Sequence, residues 1–236
     1  MDERTFLNIS AAECKKAYKA LLDNAQEQIS VAQILAEKEK YGQAVTHIVL
    51  STEEMVKAVI LYFDSYGTGL RKVKGAKRFF VEHKIRHSFA LMFQLMTTAI
   101  RPLLAIFNKL HEELHNPEVK IELTGEMENA IYEKDEEKIK KALSYLDDVL
   151  DWWEEADELK QKGLYVDYRN DLVTPREFEK KDYDKALFVA DLFNTDCVHL
   201  INHIEKQPEE EKKQVVQDSR EKIAEVFAQI IKASER

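Results

Sequence analysis

Five basic side chains crowd into RFFVEHKIRH, residues 78–87: Arg78, His83, Lys84, Arg86 and His87. The chain around them has a formal net charge of −9. An arginine can grip a phosphate with two parallel N–H donors, and a histidine titrates close enough to neutrality to move a proton. Such a set suits phosphoryl chemistry. On a straight helix, however, positions five apart are rotated by roughly 140°. Arg78 and His83 therefore converge on one phosphate only if the helix starts irregularly there or a second subunit completes the pocket. The bland alternative is a solvated basic face with a satisfied helix histidine.

Two further constellations have chemical potential. In STEEMVKA, residues 51–58, Glu53 and Glu54 precede Lys57 by four and three positions, the spacing of helical ion pairs. If this helix packs against the one bearing His83, Lys84 and Arg86, those cations become partners for the acids. Histidines also recur four apart at His83/His87, His111/His115 and His199/His203, and Glu112 and Asp196 stand three before His115 and His199. Such spacings can present metal ligands from one helix face, as in di-metal helix bundles. That site also needs inward-facing acids from two more helices, and only Glu53 or Glu54 is a clear candidate. No metal or other cofactor is expected. There is no phosphate-cradling glycine loop, no zinc-type cysteine pair and no Gly-x-Ser-x-Gly elbow. Trp152 and Trp153, set among acids, suit packing or a dimer contact better than base stacking.

These residues need a frame. With 236 residues, 44% hydrophobic and 33% charged, the chain can bury a substantial core, and its few glycines and prolines favour long helices over many short strands. Net acidity argues against a general nucleic-acid-binding surface while leaving room for a local basic pocket. Arg71, Lys72, Lys74, Lys77, Arg78, Lys84 and Arg86 face one acid, Glu82, across residues 71–87, whereas the segment after Asp135 is strongly negative. This asymmetry fits either an anion site or two helices attracting each other. Two cysteines, an acidic N-terminus unlike a signal peptide and no apolar run of about 20 residues point to a cytoplasmic protein outside the membrane.

Helix signals are frequent. Ser10 and Glu13 form a capping box that opens a helix to about Glu39, with Ala17, Leu21, Ala25 and Ile29 inward. A joint at EKYGQ, where Gly42 ends or bends the chain, leads to a second helix over 43–66 with Val45, Val49, Val56, Val59 and Ile60 inward. After the loop SYGTG a third helix is expected over 74–110, kinked or broken at Pro102. A loop over 115–126, with an extended piece at 119–123, leads to an acidic helix over 135–159. KQKGLYVDYRNDLVTP, residues 160–175, has no helical period. Thr174, Pro175 and Glu177 then start a helix reaching about Ile204. A last helix from QPEEE carries Val215, Val216, Ile223, Val226, Phe227, Ile230 and Ile231 on one stripe. The expected architecture is all-α, with a domain over 1–204 and a C-terminal helical extension over 205–236 packed on it.

In order, DNAQ at 23–26, KYGQAVTHIVLSTEEMVKA at 40–58, EHKIR at 82–86 and KQKGLYVDYRNDLVTP at 160–175 resemble the AbiV family of abortive phage-infection proteins over roughly residues 12–195. That family is similar to the HEPN superfamily of helical proteins, usually dimeric, many of them metal-independent ribonucleases with an arginine followed four to six residues later by a histidine. The resemblance implies a HEPN-like helical bundle. It maps the AbiV-like pattern onto Glu53, Glu54, Lys57, His83, Lys84 and Arg86, and the ribonuclease spacing onto Arg78 and His83. Val56 stands where the family has glycine, and Phe79 where active members have a polar residue. The function implied is arrest of growth or translation during infection, by a homodimer acting on RNA. His83 is then the general base, Arg78 with Lys84 or Arg86 stabilises the phosphorane, and Glu54 and Lys57 orient them. The competing reading is a non-catalytic module whose partner is a phage protein or a translation factor. A di-metal bundle is the third.

Overall fold

The computed structural model describes residues 4–97, 136–169 and 171–233. Within them lie seven α-helices and one two-stranded antiparallel hairpin, so the architecture is all-α as expected. The elements are α1 (Ala11–Glu37), α2 (Tyr41–Asp64), α3 (Arg78–Val81), α4 (His83–Leu95), α5 (Glu136–Leu164), β1 (Asp167–Arg169), β2 (Asp171–Val173), α6 (Lys180–Glu205) and α7 (Glu209–Ala233). Short 3-10 turns occupy Leu70–Lys72 and Pro175–Glu177.

Helix α1 begins with the predicted capping box. The Glu13 N–H donates to Ser10 Oγ at 3.3 Å and the Ser10 N–H to Glu13 Oε2 at 2.8 Å. Cys14, Tyr18, Leu21, Ala25, Ile29 and Ala32 form its buried stripe against α2. Glu39, not Gly42, makes the joint between the two helices, with φ of 57°. Gly42 lies inside α2, where the chain needs a missing side chain: a Cβ there would sit 2.4 Å from the Pro175 carbonyl oxygen. Eighteen of the 24 residues of α2 are buried, because α1, α4, α5 and α6 all pack around it. Polar residues on this central helix must find partners inside the protein, which is why its charges matter.

The loop after α2 is tied down by Asp64, whose carboxylate accepts from Thr68 Oγ1 at 2.7 Å, the Leu70 N–H at 2.6 Å and Arg71 Nε at 2.5 Å. The single third helix expected from residue 74 is instead broken. Helix α3 lasts one turn, Glu82 is extended at φ −108° and ψ 119°, and α4 starts afresh at His83. No glycine or proline marks this break. It turns Phe79 into the core, where its ring stacks on Phe227 of α7 at 4.2 Å and meets Phe89 edge-on at 6.0 Å. The continuation to residue 110, Pro102 and the loop over 115–126 lie outside the described residues.

Helix α5 runs one turn beyond the expected end at residue 159. Its buried stripe reads Val149, Trp152, Trp153, Ala156, Lys160 and Gly163. At Gly163 the backbones of α5 and α2 nearly touch, since a Cβ there would lie 2.2 Å from the Gly42 carbonyl oxygen and 2.5 Å from Thr46 Oγ1. Thr46 Oγ1 donates at this crossing, 3.1 Å from the Lys160 carbonyl oxygen. The rest of the segment expected to be a loop forms the hairpin, in which Tyr168 faces Leu172. The Thr174–Glu177 capping box exists, but it closes a 3-10 turn; a second box, Glu179 with Asp182, starts α6. Trp152 and Trp153 are both core residues, edge to face at 4.6 Å.

Candidate functional site

One carboxylate gathers the polar chemistry of the interior. Glu53, in the middle of α2 and 3% exposed, points at the start of α4 and the end of α5. Its Oε2 accepts from Arg86 Nη2 at 2.9 Å, and its Oε1 from Lys160 Nζ at 2.8 Å and His87 Nε2 at 3.2 Å. His83 Nδ1 lies 2.7 Å from both oxygens. Arg86, His87 and Lys160 are 4%, 4% and 6% exposed, whereas the His83 side chain is 45% exposed. The cluster is thus closed on three sides and open at His83.

Local structure explains the convergence. The break at Glu82 starts α4 at His83, so His83, Arg86 and His87 fall on one face, three and four positions apart. Arg86 also stitches the break, donating from Nη1 to the Phe79 carbonyl oxygen at 3.2 Å. Lys160 reaches Glu53 from α5 because the Gly163–Gly42 crossing brings the two backbones together. Asp157, one turn earlier, lies 3.4 Å from Lys160 Nζ and balances part of its charge.

The electrostatics follow from this packing. Burial works to raise the Glu53 carboxyl, but the hydrogen bond from His87 and the charges of Arg86 and Lys160 overcome it and hold the group well below the usual carboxylate range. His87 moves the other way from a cation's point of view: burial pushes its imidazole below the ordinary value, against the opposing pull of Glu53. A neutral His87 donates to Glu53 through Nε2–H.

At His83 the tautomer is set by its neighbours. A ring nitrogen either donates or accepts, and Nδ1 faces a charged carboxylate, so Nδ1–H···Glu53 is the favoured arrangement. Arg86 Nη2 also lies 2.6 Å from Nδ1 and donates one of its two N–H groups to Oε2; its second could donate only to a bare Nδ1, so the Nδ1–H tautomer is the one in which Glu53, not Arg86, takes that contact. Nε2 then carries the free lone pair and has no hydrogen-bond partner among the described residues.

The sequence-predicted residues divide into three groups. His83 and Arg86 meet on the same carboxylate, though Arg86 is buried and faces Glu53, not solvent. Glu54 and Lys57 pair with each other, Nζ to Oε1 at 2.5 Å, on a partly buried part of α2. Arg78 makes a two-pronged bond to Glu82, at 2.7 and 2.8 Å, and reaches the Ile231 carbonyl oxygen at 3.5 Å, while Lys84 is exposed. Of the basic run, Arg71, Arg78 and Arg86 are each neutralised by an acid, and Lys72, Lys74, Lys77 and Lys84 are exposed. Sequence reasoning weighed Glu53 only as one of two acids and His87 only as half of a histidine pair. Lys160 was missed, although its place on the α5 stripe seven after Trp153 and four after Ala156 was a readable signal. Among the described residues no group of three or more His, Cys, Asp or Glu is arranged to hold a metal ion. His199 and His203 are exposed on α6, and His111/His115 lie outside the described residues. No described helix is long and apolar enough to cross a membrane.

Neither the curated proteins nor the solved structures gave a match to this chain. The family model HEPN_AbiV, described as AbiV, matches residues 13–194, a span that contains Glu53, the α3–α4 break and Lys160. With more than half of its length matched in one run, the chain belongs to the AbiV family, HEPN-like helical proteins of the abortive-infection type.

Proposed function

We propose that this protein is a metal-independent endoribonuclease that arrests translation during phage infection, with His83 as its general base. The observation that carries the reading is the imidazole itself: Nδ1 is anchored to a buried, ionised Glu53, and Nε2 opens outward. A carboxylate behind a histidine fixes the ring and strengthens it as a base. In the reaction Nε2 removes the proton of a ribose 2′-hydroxyl. The 2′-oxygen bonds to the adjacent phosphorus, the bond to the 5′-oxygen breaks, and that oxygen takes a proton from solvent, leaving a 2′,3′-cyclic phosphate. The nucleophile belongs to the substrate, so no metal-bound water is needed.

The charge near His83 favours a phosphate. Helix α4 has no side-chain cap, and its first turn carries the exposed Lys84, a cation placed where the helix dipole is also positive. An anion is favoured there. Lys84 is available to it, and Arg78 can exchange Glu82 for the developing phosphorane charge. Glu53 takes the orienting role that the sequence suggested for Glu54 and Lys57. The reading includes a cytoplasmic homodimer, the second copy helping to complete the phosphate pocket.

A second reading has its own support: Glu53, Arg86, His87 and Lys160 are buried and tie α2, α4 and α5 together. The cluster then locks the bundle, and function lies in contacts with a phage protein or a translation factor. Incubating the purified protein with total RNA in EDTA separates the two. The nuclease produces fragments ending in cyclic phosphate, and His83→Ala abolishes them with the helical far-UV signal intact. Cleavage that survives in His83→Ala removes the histidine from its role.

A further inference from the structure

Lys160 opens the segment KQKGLYVDYRNDLVTP, and the cleavage chemistry described above does not use it. Yet it is among the most buried lysines of the described chain, and its ammonium is 2.8 Å from the carboxylate that anchors His83. Such a group is costly to desolvate and persists where its partners compensate it.

We infer that Lys160 is a positioning residue for His83, acting through Glu53: it holds the carboxylate in one orientation and balances its charge, so that the imidazole keeps its proton on Nδ1 and its Nε2 bare. The inference rests on the nuclease reading for its kinetic readout, not for its spectroscopic one.

Both ends of the lysine are fixed. Its carbonyl oxygen accepts from Thr46 Oγ1 at 3.1 Å, and three residues on Gly163 lets α5 lie directly against Gly42. The stem therefore spans from the helix crossing to Glu53, and the ammonium is held there between the Glu53 and Asp157 carboxylates. The charged and titratable groups facing Glu53 are Arg86, His83 and His87 from α4 and Lys160 from α5, with Asp157 behind Lys160; on α2 itself Glu54 and Lys57 satisfy each other. Two fixed cations, Arg86 and Lys160, thus share one carboxylate. Without Lys160, Arg86 and the two imidazoles alone hold the carboxylate, and Glu53 Oε1 loses its one ammonium partner.

The test uses the full chain with Lys160→Met. Cleavage of total RNA is followed for its maximal rate and its KM, which a positioning residue behind the base affects differently. The maximal rate falls while KM holds. Independently, 15N-edited NMR of the imidazoles shows a His83 ring with Nδ1–H in the parent protein and a mixture of tautomers in Lys160→Met. If Lys160→Met does not fold by circular dichroism, Lys160→Gln, which keeps length and polarity without charge, takes its place in both measurements. An unchanged maximal rate with an unchanged His83 ring overturns the inference. If the parent protein cleaves no RNA, the nuclease reading fails, and the NMR comparison alone decides the role of Lys160.

Discussion

Glu53→Gln is the sharpest perturbation the structure offers, because it removes one negative charge and almost no volume. In the folded protein two buried cations, Arg86 and Lys160, donate to that carboxylate together with two imidazoles. Breaking a buried ion pair by neutralising one partner costs about 3–5 kcal/mol, since the other charge stays in a poorly solvating interior. For a chain of this size each kcal/mol lowers Tm by about 2–4 °C. Thermal melts followed at 222 nm and pH 7 are therefore expected to fall by roughly 6–20 °C. Glu54→Gln is the control: its single partner Lys57 is three residues away on the same helix, and its loss costs on the order of 1 kcal/mol. The pH dependence carries a second signature. The folded protein holds the Glu53 carboxyl below its ordinary value of 4.5, so below that pH the unfolded chain binds the extra proton first. Stability from Glu53 is complete above pH 4.5 and drains away as the pH falls, by about 1.4 kcal/mol per unit. The gap between parent and Glu53→Gln narrows accordingly. A Tm difference under about 3 °C at pH 7, or a gap that stays constant down to pH 3, refutes the assignment of Glu53 as the hub.

Two further perturbations probe the frame around the hub. Gly163→Ala puts a methyl 2.2 Å from the Gly42 carbonyl oxygen, forcing α2 and α5 apart; urea unfolding should show a loss of about 1–3 kcal/mol, and RNA cleavage should fall with it as Lys160 is displaced. Phe227→Ala removes the ring stacked on Phe79 and leaves a cavity beneath the α3–α4 break, with an expected cost of about 3–5 kcal/mol by the same measurement.

Helices with strong local signals were legible from sequence, and the reason is physical. The Ser10–Glu13 box, the period of α1 and the apolar density of α2 are set by contacts within a few residues, and each element formed within a few residues of its expected bounds. The break at Glu82 was not legible, because no local residue demands it. It is imposed by Phe79 packing against Phe227, nearly 150 positions away, and that decides where His83 points. The end of α5 was misjudged for a related reason. Gly163 reads locally as a helix stop, yet the tertiary structure uses it for close approach, and this carries Lys160 into the interior. The roles of the two glutamates also depended on packing. Glu53 and Glu54 are adjacent in sequence, but a rotation of about 100° sends one into the cluster and leaves the other to pair with Lys57.

Stability alone does not account for such a cluster. Well-packed apolar side chains in place of Glu53, Arg86 and Lys160 would hold α2, α4 and α5 at least as firmly, since the desolvation of buried charges consumes most of what their attraction returns. A purely structural lock would also be closed on every side, for solvent reaching one member weakens all of its interactions by raising the local dielectric. This cluster is instead open at one member, His83, the exposed one of the two imidazoles that meet at Glu53. The buried partners do for His83 what bulk water cannot: they keep a carboxylate ionised, stationary and correctly aimed behind it. Three ions and one imidazole inside, with a second imidazole at the mouth, is the arrangement on which the proposed proton-transfer role rests.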